Sequence, residues 1–111
     1  MGYFTLKKGV DSKFYFSLHA DNDEIILQSE AYDSRRSAEN GIDSTRTNAS
    51  FESRFDRRRS QNDQQYFVLK AANGQVIGTS EMYLHESGLE NGIASVMKNA
   101  PRANVIDETR D

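Results

Sequence analysis

Two glutamate and tyrosine pairs are the residues of this chain best suited to acid and base chemistry. Glu30 and Glu81 each stand two positions before a tyrosine, Tyr32 and Tyr83. Carboxylates and phenols can transfer protons, so a groove between two halves that brought these pairs together could act on a polar substrate. The ordinary alternative makes them solvated residues near strand-to-helix turns. We therefore treat all four as candidate ligand-binding residues and assign no catalytic residue.

A basic cluster suggests a different chemistry. Guanidinium groups at Arg54, Arg57, Arg58 and Arg59 could neutralise phosphates while nearby aromatic rings stack on unpaired bases. However, 17 acidic residues outnumber 14 basic ones, so no positive field dominates the molecule. Strand alternation also divides these arginines between two faces. A solvated or edge-protecting strand is favoured, and single-stranded nucleic acid is the disfavoured alternative partner.

Other catalytic and metal-binding chemistries lack the residues they need. The chain has no cysteine, which excludes disulfides, cysteine-zinc sites and thiol catalysis. His85-Glu86 begins like a zinc-protease motif, but Leu89 stands where the second histidine should be. Ser80 lies in a segment that lacks the final glycine of a nucleophile elbow. We therefore expect no metal site and no cofactor, and favour a noncatalytic protein over an enzyme.

A repeat of period 51 reveals how these residues are positioned. Between Tyr15 and Ala49, 16 of 35 positions are identical to the residue 51 places later, and no gap is needed. The tetrapeptide Glu-Asn-Gly-Ile recurs in this way at 39–42 and 90–93. Self-similarity at a fixed period indicates a duplicated structural unit. The sequence thus predicts one domain made of a first repeat, 1–51, and a second repeat, 52–111.

Each repeat predicts three strands in the same order. Alternating apolar and polar residues at 3–7 and 14–20 predict two strands, and 54–58 is the counterpart of the first. The third strand, at 24–29 and 75–80, is rich in isoleucine and valine. Asn73-Gly74 predicts a type I′ turn between the second and third strands of the second repeat.

A helix follows the three strands, because the apolar period then changes. Asp33 or Ser34 can cap the helix of the first repeat, and Pro101 ends that of the second. The predicted buried stripes are Ala38, Gly41, Ile42, Thr45 and Ala49, then Leu89, Gly92, Ile93, Val96, Met97 and Ala100. A helical glycine costs about 1 kcal/mol relative to alanine, so Gly41 and Gly92 predict close approach of the helix backbone to the sheet.

A third register suggests that strands are exchanged between the halves. Residues 2–9, 53–60 and 104–111 align and keep Phe4, Phe55 and Ile106 in step. The middle segment can then end the first repeat and begin the second. The predicted fold is α+β, with two tandem β-β-β-α-(β) repeats that form one antiparallel sheet. Both helices pack on one face of this sheet, and a pseudo-twofold axis relates the repeats. The terminal strands can be swapped between the repeats.

The sequence resembles the YegP family, small bacterial proteins of uncharacterised function that occur as tandem repeats or as single-repeat dimers. The likeness is carried by residues 66–77, 79–83, 90–96 and 98–100. It implies three strands, a helix and a fourth strand in each unit, with swapped terminal strands, and it brings no known activity and no catalytic residues. The first copy departs most from the pattern, at Asp21-Asn22-Asp23 and at residues 33–36.

These patterns together favour a noncatalytic binding or interaction module. The open face or the edge of the sheet would receive a protein, a peptide or a small ligand, and a small enzyme with a site between the repeats is the alternative. We expect a monomer, because the tandem repeat replaces a dimer. No apolar run approaches the roughly 18 residues that span a bilayer, and the first residues lack the apolar block of a signal peptide, so a cytoplasmic location without membrane contact is expected.

Overall fold

The computed structural model describes residues 2–109. The first residue of the predicted first repeat, Met1, and the last two of the predicted second repeat, 110–111, lie outside this range. The strands are β1 Tyr3–Lys8, β2 Phe14–His19, β3 Ile25–Ser29, β4 Phe55–Arg59, β5 Gln65–Lys70, β6 Val76–Thr79 and β7 Asn104–Asp107. The helices are α1 Arg35–Asn48 and α2 Glu86–Asn99, and short 3-10 turns precede β4 and β7. The predicted α+β order of elements is confirmed.

The two halves of the molecule meet at the centre of a seven-stranded sheet. Its strand order is β4-β5-β6-β3-β2-β1-β7. The central strands β3 and β6 are antiparallel, with Gln28 opposite Thr79 and Ser29 opposite Gly78. Each half therefore contributes three of the strands β1 to β6 in mirrored order, as a pseudo-twofold axis between β3 and β6 requires.

The last strand crosses to the other half. β7 follows the helix of the second repeat but pairs with β1 of the first repeat. The second repeat therefore passes its terminal strand to the first. This pair is parallel, which makes the sheet mixed and corrects the expectation of a wholly antiparallel sheet. Val105, not Ile106, lies level with Phe4. Ile106 is 47% exposed, unlike the buried Phe4 and Phe55.

Both helices cover the same face of the sheet. The side chains of directly paired residues on neighbouring strands point to the same face of the sheet. One row of paired residues across β1, β2 and β3 is Phe4, Leu18 and Leu27. The matching row across β4, β5 and β6 is Phe55, Leu69 and Gly78. Ser29 opposite Gly78 joins the rows across the centre. The buried aromatic and aliphatic residues of these rows and of the helix stripes form one core cluster. The predicted arrangement of the helices is confirmed.

The two helix glycines make room for tyrosine rings. A Cβ atom at Gly41 would lie 2.7 Å from Cζ of Tyr32, and one at Gly92 would lie 2.8 Å from Cζ of Tyr83, with each hydroxyl oxygen closer still. Each tyrosine stacks on a core phenylalanine, with ring centroids 6.0 and 6.4 Å apart. The predicted close approach is therefore present, but its partner is a tyrosine ring and not the backbone of the sheet.

The four hairpins share one turn. In each, the N–H of the fourth turn residue donates to the carbonyl of the first, at 2.9 or 3.0 Å. The fourth residue has positive φ, and these residues are Ser12, Asp23, Asp63 and Gly74. The type I′ prediction for Asn73-Gly74 is wrong, because only Gly74 has positive φ. Asn73 instead accepts a hydrogen bond from the N–H of Gln75 through its side chain, at 3.0 Å.

One position at the centre of the sheet breaks the internal symmetry. Leu27 and Gly78 are equivalent under the 51-residue repeat, and they contact one another. A Cβ atom at Gly78 would lie 2.9 Å from Cγ of Leu27 and 2.8 Å from the carbonyl oxygen of Gln28. A single leucine thus fills the space beside the pseudo-twofold axis.

We predict that Gly92→Ala destabilises the fold, although alanine is the better helix former by about 1 kcal/mol. Forcing Cβ into the Tyr83 ring should cost about 1 to 3 kcal/mol, so the overpacking outweighs the helix propensity. Urea unfolding of Gly92→Ala, Tyr83→Phe and the double variant would measure this. Removing the hydroxyl should relieve part of the clash and give a coupling free energy of about 0.5 kcal/mol or more. A stabilising Gly92→Ala would contradict the packing described.

We also predict that Gly74→Ala destabilises the fold by about 1 kcal/mol through backbone strain alone. A Cβ atom there meets nothing within 4 Å, yet φ is +88°. Ser12→Gly is the matched opposite change, since Ser12 already has a φ of 66°. Thermal unfolding should show a lower midpoint for Gly74→Ala and an unchanged or higher one for Ser12→Gly. Equal loss in both variants would contradict the strain argument.

Candidate functional site

A groove with a volume of about 440 Å³ lies between α1 and the β5–β6 hairpin of the other repeat. We call it the first groove. The first repeat contributes Glu30, Tyr32, Ser37, Asn40, Gly41 and Ser44, and the second contributes Ala71, Gln75, Val76 and Ile77. Neither half could form this groove alone.

The first groove concentrates the residues that the two repeats share. Seven of its ten lining residues are identical to their counterparts in the other repeat, compared with 16 of 35 positions in the aligned segment. These seven are Glu30, Tyr32, Asn40, Gly41, Ser44, Ala71 and Ile77. The lining is therefore more constant between the halves than the repeat as a whole.

The equivalent space in the other half is divided into two cavities, which we call together the second groove. One has a volume of about 540 Å³ and is lined by Glu24, Ile25, Ile26, Gln28, Glu81 and Tyr83. The other, about 380 Å³, is lined by Ala20, Asp21, Asn22, Asn91, Ala94, Ser95, Lys98 and Asn99. The candidate pairs are thus placed apart: Glu30 with Tyr32 line the first groove, and Glu81 with Tyr83 line the second.

Several repeated polar residues have structural partners. The hydroxyl of Ser29 accepts from the N–H of Phe16, and that of Ser80 accepts from the N–H of Phe67, both at 2.9 Å. Each hydroxyl also donates to the carbonyl of the following glutamate, at 2.7 and 2.8 Å. Ser80 is therefore a strand-end residue whose hydroxyl is already engaged on both sides, and not an activated nucleophile.

The repeated asparagines at the helix ends fasten each helix to the start of a neighbouring strand. Oδ1 of Asn99 accepts from the N–H of Gly2 at 3.0 Å, and Oδ1 of Asn48 accepts from Arg54. Each side-chain amide also donates to the carbonyl four residues earlier in its helix, at 2.8 and 2.9 Å. The repetition of these two residues is explained by structure.

Asn40 and Asn91 have no such explanation. Both are exposed, and each lines a groove. Within residues 2–109 neither side chain takes part in a hydrogen bond. In the sequence they stand only as members of the repeated tetrapeptide, and they were not predicted as functional candidates. The available signal was their repetition together with their exclusion from the buried stripe.

Both groove tyrosines have a raised pKa. Burial raises the pKa of Tyr32 above its ordinary value of 10.0, and the nearby Glu30 raises it further. Burial likewise raises the pKa of Tyr83, with added effects from Glu81 and Glu24. A higher pKa keeps each phenol protonated near neutral pH.

The carboxylate of Glu81 in the second groove has a partner within the chain. It accepts a hydrogen bond from the side-chain amide of Gln28, at 3.0 Å.

The basic cluster is held by partners within the chain. The ion pairs are Arg57 with Glu52 and Glu90, Arg58 with Asp56, and Arg59 with Asp63, at N···O distances of 2.6 to 3.1 Å. Arg54 donates to Asn48 and lies 4.8 Å from the centroid of the Phe51 ring. Each guanidinium already has a carboxylate, an amide or an aromatic partner. The cluster therefore presents little free positive charge to phosphates.

The histidines do not form a metal site in the described residues. His19 stacks on Tyr3 with ring centroids 4.6 Å apart, and its Nε2 lies 3.2 Å from the hydroxyl of Thr5. His85 occupies the N-cap of α2. No group of three or more His, Asp or Glu between residues 2 and 109 could hold a metal ion.

Within residues 2–109, neither helix has the length and apolar character needed to cross a membrane.

Comparison with known proteins gives one consistent result. The family "Domain of unknown function (DUF1508)" matches this chain twice, at residues 10–56 and 60–107. The chain is 46% identical over 109 residues to the UPF0339 protein YegP of Yersinia pestis, with 98% of this chain and 97% of that protein covered. It is 48% identical over 108 residues to the YegP protein of Escherichia coli O157:H7, with 97% and 98% covered.

Solved structures agree with the fold described above. The solution structure of YegP from E. coli, a protein of unknown function, has a TM-score of 0.94 at 46% identity and covers 99% of this chain and 95% of that one. The solution structure of a UPF0339 protein from Shewanella oneidensis has a TM-score of 0.92 at 44% identity, covering 97% and 92%. The resemblance found in the sequence is therefore confirmed. This chain belongs to the DUF1508 family, whose domain of unknown function it carries in two copies, and its relatives are the uncharacterised YegP proteins of bacteria.

Proposed function

We propose that this protein is a noncatalytic binding module whose two grooves each hold a small ligand with hydrogen-bonding groups. The observation that supports this most is the repetition of Asn40 as Asn91. Both side chains are exposed, line a groove and make no hydrogen bond within residues 2–109. A pair of residues kept identical without a partner in the fold is best explained by a partner from outside it.

The groove lining determines which ligands fit. Glu30 offers a carboxylate, Asn40 an amide and Tyr32 a phenol beside the apolar side chains of Val76 and Ile77. Such a mixture suits a small molecule that has an apolar body and hydrogen-bonding groups at its rim. The carboxylate in each groove favours ligands that are neutral or positively charged over anions.

Two further expectations belong to this proposal. The protein acts in the cytoplasm, which is supported by the absence of cysteine. It acts as a monomer, because one chain already supplies both halves of the sheet. Single-stranded nucleic acid is a poorer candidate partner than a small ligand, since the four arginines that would bind it have partners within the chain.

We predict that ligand-observed NMR with a panel of amino acids, amines, nucleosides and sugars will identify a ligand of the grooves. Asn40→Ala and Asn91→Ala should each weaken its binding about fivefold to tenfold, because each removes about one net hydrogen bond. Asn62→Ala is the matched control, since Asn62 is an exposed residue of the β4–β5 turn. Unchanged affinity in both groove variants, or equal weakening in Asn62→Ala, would contradict the proposal.

We also predict that the groove tyrosines remain protonated up to about pH 10. Because burial raises their folded pKa above 10.0, they stabilise the fold fully below that pH, and this stability is lost as pH rises through the raised value. Ultraviolet titration of tyrosinate would compare the parent chain with Tyr32→Phe and Tyr83→Phe. The absorbance missing from each variant should have an apparent pKa above 10. A lower value would favour an acid or base role and the enzyme alternative.

A further inference from the structure

The two edges of the sheet differ in how they are protected. At one edge, β4 carries four charged residues out of five, and all three of its arginines are in ion pairs. Charged side chains on an edge strand discourage pairing with other chains. At the other edge, β7 exposes Val105 and Ile106 to 39% and 47%. The β7 edge is therefore the one open to strand addition.

A small cavity accompanies the β7 edge. It has a volume of about 300 Å³ and is lined by Glu39, Ile42, Asp43, Arg46 and Val105. Arg46 is already engaged, donating to Asp43 at 2.8 Å and to the carbonyl of Ala103 at 2.8 Å. Glu39 is exposed and makes no ion pair within residues 2–109. The cavity thus combines an apolar wall with a carboxylate that no cation of the described chain neutralises.

The internal repeat shows what kind of partner that carboxylate accepts. Glu90, the counterpart of Glu39, is bound by Arg57 of the edge strand β4, at 2.6 Å. The counterpart of Arg57 in the first repeat is Leu6, which is fully buried and paired with Asp107 of β7. The first repeat therefore has the glutamate but lacks the edge-strand arginine that binds it in the second.

We propose that the β7 edge receives an extended peptide as an eighth strand, with a lysine or arginine directed at Glu39. Val105 is level with Phe4 and so faces the helices, whereas Ile106 is level with Thr5 and faces the open side. An added strand alternates in the same way. Its basic residue packs its aliphatic stem on Val105 and Ile42, and the next residue, which is apolar, packs on Ile106.

The division of energy within this complex follows from its parts. Main-chain hydrogen bonds to β7 provide affinity for any extended peptide, and the side chains provide the choice among sequences. Because Glu39 is exposed, its ion pair contributes only about a twofold to fivefold gain in affinity. The partner is accordingly a peptide of alternating apolar and basic residues, and its charge preference is modest but measurable.

The test uses the full chain and a synthetic peptide of alternating valine and arginine with blocked ends. Titration followed by amide chemical shifts should move the resonances of β7 and leave those of β4 in place. Glu39→Gln should weaken binding about twofold to fivefold. Glu39→Lys should weaken it more and favour a matched peptide of alternating valine and glutamate. Glu86→Gln, an exposed glutamate in the first turn of α2, is the control and should bind like the parent chain.

Four results would overturn the proposal. They are equal affinity for the basic and acidic peptides, unchanged affinity in Glu39→Gln, shifts confined to β4 or to the two grooves, and undiminished binding when alternate amides of the peptide are N-methylated. Sedimentation of the chain alone provides a further check. Self-association that Ile106→Asp abolishes would make a second copy of this chain the occupant of the edge, and the peptide proposal would then be wrong.

Discussion

The contact between a helix glycine and a tyrosine ring sets the position of each helix above the sheet. Gly41 lies against the ring of Tyr32 and Gly92 against the ring of Tyr83. Because neither glycine has a side chain, the helix backbone can contact the ring directly. The tyrosine in turn is held by stacking on a core phenylalanine. Gly41 itself lines the first groove, and Asn40 and Asn91 directly precede the two glycines in the sequence.

Local patterns were sufficient to predict most of the architecture. Alternation identified the strands because the helices cover only one face of this sheet, and the helix stripes matched the buried positions at Ala38, Ile42, Leu89 and Ile93. The repeat added what propensity cannot give, the equivalence of two halves and hence a common sheet. Of the two predicted N-cap residues, Asp33 and Ser34, the structure has Ser34, whose hydroxyl accepts from the N–H of Ser37.

The differences arose where nonlocal pairing decides the outcome. Both Val105 and Ile106 are apolar, so alternation could not tell which of them faces the helices, and only pairing with β1 settles it. Asn73-Gly74 is compatible with more than one turn, and the turn that all four hairpins share is the one in which only Gly74 has positive φ. The grooves were harder still, because their lining joins a helix of one repeat to a hairpin of the other.

The repeated residues therefore carry two kinds of information. Ser29, Ser80, Asn48 and Asn99 are constant because the fold uses their hydrogen bonds. Asn40 and Asn91 are constant without any such use, which is why structure was needed to separate them from the rest. Identity between repeats points to function only after the structural reasons for it have been subtracted.

The contact of Leu27 with Gly78 has a consequence for the history of this chain. Two copies of the first repeat facing each other would crowd two leucines into a space that holds one, and two copies of the second would leave that space empty. Once these positions had diverged, each repeat fitted the other better at this point than it would fit a copy of itself. The Leu27 and Gly78 pair thus favours pairing of the two unlike repeats within one chain over pairing of like repeats between chains.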